Sequence, residues 1–189
     1  YVCQTLDMGI SYYRLVYARL TGEPFVVAET KNLLIREMTT KDLPELYAVY
    51  STLEDCRYIE QLYDYDKELE FTKNYIKNMY GFFEYGLWLV FEKKSGELIG
   101  RAGIENREID GVTCREIGYL IRRDMQHKGY AYEACQAILE YASDELGIQE
   151  MFAVIDKTNE PSRKLAQKLG FELYAQTDGG PDLYKFVFG

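Results

Sequence analysis

A chain of 189 residues, 47% of them hydrophobic, is long enough to bury one sizeable core and leave an added arm. Its formal net charge of -9 excludes the basic face that nucleic-acid binding requires and favours a cationic partner over an anionic one. The cysteines Cys3, Cys56, Cys114 and Cys135 are too scattered for a C-x-x-C redox or zinc motif, which fits reduced thiols in the cytoplasm and no bound metal. No apolar run reaches the ~20 residues of a membrane span and no signal-peptide pattern opens the chain, so a cytoplasmic protein off the membrane is expected.

In chain order, Ile10 to Leu20 reads as a helix with Tyr13, Val16, Tyr17 and Leu20 on one face, stopped by Thr21-Gly22-Glu23-Pro24. Residues 1–32 are expected to form a partly helical extension, packed on the domain as an annex, serving as a dimer arm or remaining from a longer protein; the domain proper is expected over 33–189. Leu33 to Met38 reads as a strand, and Thr39 to Asp42 offers caps for a helix from Leu43 to Thr52. A second helical stretch carries Leu69, Tyr75, Ile76, Met79 and Phe82. Leu87 to Glu92 and Leu98 to Asn106 read as strands joined by a turn at Ser95-Gly96, and Asp110-Gly111 marks a hairpin into Thr113 to Ile121.

Directly after that strand comes Arg122-Arg123-Asp124-Met125-Gln126-His127-Lys128-Gly129-Tyr130-Ala131, and then a helix whose Ala134, Cys135, Ile138, Ala142 and Leu146 recur at helical spacing. A helix start offers unpaired backbone N–H groups and the positive end of a dipole, which together attract a phosphate. Gly129 permits close backbone approach and Ala131 leaves room. The phosphate-loop pattern G-x-x-x-x-G-K-[ST] is absent, and no G-x-G-x-x-G opens a helix after a strand. Downstream, Met151 to Ile155 reads as a buried strand. Pro161 and Gly170 bound a short helix, and Phe171 to Gln176 and Leu183 to Phe188 form a last hairpin.

Gln126-x-x-Gly129-x-Ala131 between a strand and a long helix resembles the pyrophosphate loop of the GNAT superfamily of acetyl-CoA-dependent N-acetyltransferases. Asn159-x-x-Ser162 followed by Lys168-Leu169-Gly170-Phe171 resembles that family's second hallmark. With Glu116-Ile117-Gly118-Tyr119 before the loop, the resemblance is strongest to the ribosomal-protein-alanine N-acetyltransferase (Rim-type) branch. It implies an α/β (α+β) fold with a mixed, mostly antiparallel sheet of about seven strands flanked by helices. It implies acetyl-CoA as co-substrate, with Tyr119, Leu120 and Ile121 pairing with the pantetheine arm and Asn159 bonding that arm. Gln126, His127, Lys128, Gly129, Tyr130 and Ala131 would wrap the pyrophosphate. Thr113–Ile121 and Met151–Ile155 would part to admit both substrates.

Acetyl transfer to an amine needs a base for the amine proton, a donor for the developing oxyanion and an acid for the leaving thiolate. A backbone N–H such as that of Leu120 is the oxyanion candidate, and Glu116 is the candidate base, directly or through water. Histone-acetylating relatives place the base eleven positions before the loop glutamine, which here is Arg115, and a one-residue shift in a strand changes the face. Many relatives carry a tyrosine acid seven residues after the asparagine; here that position is Ala166, leaving Ser162 as the candidate for the sulfur. His127, the only histidine, lies in the phosphate loop and is read as solvent-facing rather than as part of a nucleophilic pair.

The acceptor is expected to be a primary amine, on a protein N-terminus or a small molecule. Some of Tyr58, Tyr63, Tyr65, Tyr80 and Tyr85 are expected at its mouth, and Glu54, Asp55, Glu60, Asp64 and Asp66 are expected to attract it. The competing reading is a non-catalytic acyl-CoA-binding sensor or assembly module. Either is expected as a monomer or homodimer.

Overall fold

The computed structural model describes residues 9–53, 57–109 and 111–189. Eight strands form one sheet in the order β1-β2-β3-β4-β5-β6-β8-β7. They are β1 (Val26–Glu29), β2 (Leu33–Arg36), β3 (Leu87–Glu92), β4 (Leu98–Ile109), β5 (Val112–Ile121), β6 (Glu150–Ile155), β7 (Glu172–Ala175) and β8 (Asp182–Val187). Every neighbouring pair is antiparallel except β5 with β6, which is parallel. The strand beyond the expected seven is β1, which falls within residues 1–32 and bonds to β2. Its brevity hides it in the sequence: Val26 to Ala28 show no alternation long enough to read.

Among the described residues five α-helices surround the sheet: α1 (Ile10–Thr21), α2 (Leu43–Ser51), α3 (Tyr65–Tyr75), α4 (Tyr130–Asp144) and α5 (Glu160–Leu169). The caps expected before α2 are present. Asp42 accepts from the N–H and the hydroxyl of Thr39, at 2.7 and 2.9 Å, and its carboxylate also holds Arg36. α3 runs on as a π-helix, Ile76–Phe83, so its apolar residues fall out of register with a 3.6-residue stripe and Phe82 ends in solvent. α1 turns part of its apolar stripe to solvent. Its Tyr17 and Leu20 are 66% and 82% exposed, and what ties it down is Ala18, buried, together with Arg19, whose guanidinium donates to Glu37 and to Tyr80 C=O.

Two helical layers sandwich the sheet, and strand alternation decides which side chain meets which layer. The row Trp88, Ala102, Tyr119 faces α4, with the Trp88 ring edge-on to Tyr141 at 5.5 Å. The next row, Leu89, Arg101, Leu120, faces α2, where Arg101 reaches Tyr50. On β5, therefore, Glu116, Gly118 and Leu120 look toward α2 and α3, and Ile117, Tyr119 and Ile121 look toward α4 and α5. The core is continuous through the sheet, with Trp88, Leu89, Ile99, Ile104, Ile138 and Met151 fully buried.

Candidate active site

The β5–β6 ladder holds at one pair, Glu116 with Phe152, and beyond it the strands part. Val154 N–H, placed to continue the ladder, donates instead to Glu116 Oε1 at 3.3 Å. Alternation fixes which backbone groups are left at this fork. Arg122 N–H donates to Ile99 C=O of β4 at 2.7 Å, so the polar backbone groups of Leu120 and Gly118 also face β4, and those of Tyr119 and Ile121 face the fork. Ile121 C=O accepts from Gln126 Nε2 at 2.9 Å, on the fork side as required. The expected role of Leu120 is corrected accordingly. Its N–H and C=O are turned to Arg101 rather than to a ligand, and it meets the site through its side chain.

The fork opens into a groove of about 1050 Å³. A turn at Arg123–Met125 leads to His127 (φ 60) and Gly129 (φ 88), whose left-handed backbones swing the chain into α4. A Cβ built on Gly129 meets no atom within 4 Å, so the space over the loop is open. No side chain caps α4, leaving its first N–H groups directed at that space. Such a cradle fits the pyrophosphate of acetyl-CoA. Gln126, His127, Gly129, Tyr130 and Ala131 line the groove; Lys128 does not, and its ammonium lies 3.2 Å from Met125 Sδ. Tyr130 steadies the loop by donating to Glu92.

Both candidate catalytic side chains line the same groove, from opposite faces of the sheet. Glu116 is pushed up to about 7, first by burial and then by the charges of Glu105 and Glu60, against the opposing pull of Arg107 and Val154 N–H. Arg107 is 3.4 Å away and half exposed, so its charge is partly screened. Arg115, the position of the base in histone-acetylating relatives, is exposed and points to the other face. Ser162 Oγ lies 2.9 Å from Tyr119 Oη. Burial raises Tyr119 to about 12, and the bond to Ser162 opposes that rise. Asn159 also lines the groove, and its Oδ1 accepts Ser162 N–H at 3.2 Å as the N-cap of α5.

The Tyr119 hydroxyl is a groove-lining group that the sequence does not announce, because it meets Ser162 only through the fold. Of the tyrosines expected at the mouth, Tyr58 alone lines the groove, where its hydroxyl bonds Thr158 at 2.6 Å and bridges the two rims. Tyr80 and Tyr85 are buried, while Tyr63 and Tyr65 lie outside the groove. Of the expected acidic cluster, Glu60 lines the groove, Asp64 and Asp66 begin α3 outside it, and Glu54 and Asp55 lie outside the described residues. Cys135 lines the groove as a buried thiol raised to about 12, which keeps it protonated and inert. Among the described residues no His, Cys, Asp and Glu cluster is placed to hold a metal ion.

A sheet forked at its parallel pair, with an anion cradle heading the helix that links the two parted strands, is the architecture of a coenzyme A-dependent acyltransferase. The chain belongs to the GNAT acetyltransferase family, whose domain model matches residues 32–172. Over 134 residues it is 33% identical to the uncharacterised protein YkkB of Bacillus subtilis (strain 168), covering 71% of this chain and 72% of that one. It is 33% identical over 143 residues to the uncharacterised N-acetyltransferase YnaD of the same organism, covering 75% and 79%. Among solved structures, RimL, a ribosomal L7/L12 alpha-N-protein acetyltransferase, superposes with a TM-score of 0.73 at 15% identity, covering 87% of this chain and 95% of that one. A GnaT-family acetyltransferase from Bordetella pertussis gives 0.71 at 22% identity, covering 84% and 97%. These two likenesses show the fold.

Proposed function

We propose that the protein transfers the acetyl group of acetyl-CoA to a primary amine by direct attack in a ternary complex. The observation that carries this reading is the placement of Glu116 and the Tyr119–Ser162 hydroxyl pair on opposite faces of the sheet, both lining the groove at the parted strands. The loop 126–131 would hold the pyrophosphate. The backbone groups of Tyr119 and the N–H of Ile121 would pair with the pantetheine as an added strand, which puts the thioester at the fork from the side of α4 and α5. Acetyl-CoA supplies the acetyl group as an activated thioester. Glu116 takes one proton of the ammonium arriving from the side of α2 and α3, so that the nitrogen lone pair is free to form the N–C bond as the C–S bond breaks; the second nitrogen proton passes to solvent as the amide forms and balances the one that Tyr119 later recovers from solvent. Tyr119, or Ser162 relaying from it, returns a proton to the sulfur. A carboxylate held near 7 is half ionised at neutral pH, and a phenol held near 12 keeps its proton there; these are the states a base and an acid require.

RimL, named for acetylation of a ribosomal-protein α-amine, supports a protein N-terminus as one acceptor class, and small amines are the other. The test is release of free thiol from acetyl-CoA across a panel of N-terminal peptides and small primary amines, with the acetylated product weighed by mass spectrometry. Amine-dependent thiol release with a product one acetyl group heavier is expected. CoA binding without thiol release for any member of the panel would overturn the reading in favour of a non-catalytic acyl-CoA sensor.

A further inference from the structure

Glu105 and Glu116 stand directly opposite each other on β4 and β5. The connection between Ile109 and Val112 fixes that register, since pairing starts at those two residues and runs without a bulge. Side chains directly opposite leave the same face with Cβ atoms roughly 5 Å apart, a spacing at which two ionised carboxylates repel. Both are withdrawn from water: the Glu116 side chain is 14% exposed, and burial is the first cause of the upward displacement of Glu105. A Cβ on Gly118, which lines the groove, would lie 3.4 Å from Glu105 Oε2, so the missing side chain leaves the pair open to the groove.

The two carboxylates differ in their cations. Glu105 has no hydrogen bond or ion pair among the described residues. Its charge is countered first by Arg101, two positions along the same face of β4 beyond Gly103 and only 8% exposed, and then by Arg107, the next residue on that face in the other direction. Arg101 donates to Tyr50 at 3.4 Å, and among the described residues its Nε finds no acceptor and no carboxylate lies within ion-pair distance. A buried cation and a withdrawn anion, neither in a direct ion pair among the described residues, stabilise each other in low dielectric. Glu116 has Arg107, which is half exposed. Among the described residues, the other charged or titratable groups facing the pair include Glu60, Arg57 and Tyr58 from the α2–α3 connection and Tyr75 of α3, and β6 contributes Val154 N–H.

We infer that Glu105 is a positioning residue for the proton step: it stays ionised against Arg101, and its charge makes Glu116, directly opposite, the member of the pair that takes up the proton. This rests on the reading of Glu116 as the base, but the electrostatic arrangement is testable without turnover. In full-length protein labelled with [δ-13C]glutamate, the Glu116 carboxyl resonance is assigned by its loss in Glu116→Gln and followed through a pH titration. Glu105→Gln, and Glu105→Thr as a second neutral variant suited to a strand, should lower the Glu116 midpoint by about one unit, the coupling expected of an interacting pair. Glu105→Asp should restore it. The acid limb of kcat at saturating amine should move down by the same interval. A Glu116 midpoint unchanged in a folded neutral variant would overturn the inference. A shifted midpoint with full turnover in Glu116→Gln would instead overturn the base assignment and leave the coupled pair standing.

Discussion

The hydroxyls of Tyr119 and Ser162 lie 2.9 Å apart, although one sits on β5 and the other on the first turn of α5. Ala166, the position where the family resemblance leads one to expect a tyrosine acid, is buried against the core. Tyr119→Phe should lower kcat by ~10² while sparing CoA affinity, because the ring still packs and only the proton is lost. Ser162→Ala should cost less if Tyr119 is the donor and Ser162 the relay. Steady-state kinetics beside calorimetric CoA titration would check both, and equal turnover in Tyr119→Phe and wild type would remove Tyr119 from the chemistry.

Glu116 makes a stability prediction with a defined sign. Its pKa when folded, about 7, lies above the ordinary glutamate value, so the folded state holds the proton more tightly than the unfolded chain. The stabilisation is present at low pH and is lost as pH rises through about 7. Glu116→Gln removes the penalty for ionising a buried carboxyl. It should therefore be more stable than wild type above pH 8, on the order of 3 kcal/mol, and nearly equal to it near pH 4. Thermal midpoints across that range decide it; an unchanged difference at both ends would mean Glu116 is not displaced.

Gly129→Glu places a side chain on a left-handed backbone and a negative charge in the cradle at the head of α4. The space around that position is open, so the fold should survive and CoA binding should not. Calorimetric titration on the folded variant should show no CoA binding, and near wild-type affinity would refute the loop's assignment.

Acceptor steering should follow the groove rather than the acidic segment as a whole. Glu60 lines the groove and adds to the field on Glu116, whereas Asp64 and Asp66 begin α3. With a basic peptide as acceptor, kcat/KM should fall as salt rises, since exposed charges are screened beyond ~8 to 10 Å. Glu60→Gln should flatten that dependence, and the double neutralisation of Asp64 and Asp66 should leave it in place. The opposite pattern would put the steering charge at α3.

The elements legible in the sequence are those with a local physical cause. The apolar run Leu87–Glu92 is β3 to the residue, and Pro161 and Gly170 bound α5 as first-turn and cap residues should. The strand-to-helix loop at 126–131 was legible because its glycine and its helix start are adjacent in the chain. The π-helix Ile76–Phe83 has no local signature, and β1 is too short to show alternation. The faces presented by the N-terminal helix also escaped, since Tyr17 and Leu20 form an apolar stripe that the structure leaves in solvent. Tyr119 with Ser162 joins residues distant in sequence, and nothing local announces it. Glu105 opposite Glu116 was within reach, because a two-residue hairpin connection fixes every pair above it.

Glu116 as the base at the parted strands is the centre of the account, and the pH dependence of kcat at saturating amine tests it most directly. Wild type should show an acid limb with a midpoint near 7, the same for acceptors of different basicity. Glu116→Gln should lose that limb together with ~10² of kcat while binding CoA as before. The same limb in Glu116→Gln, or a midpoint that follows the basicity of each acceptor, would contradict it.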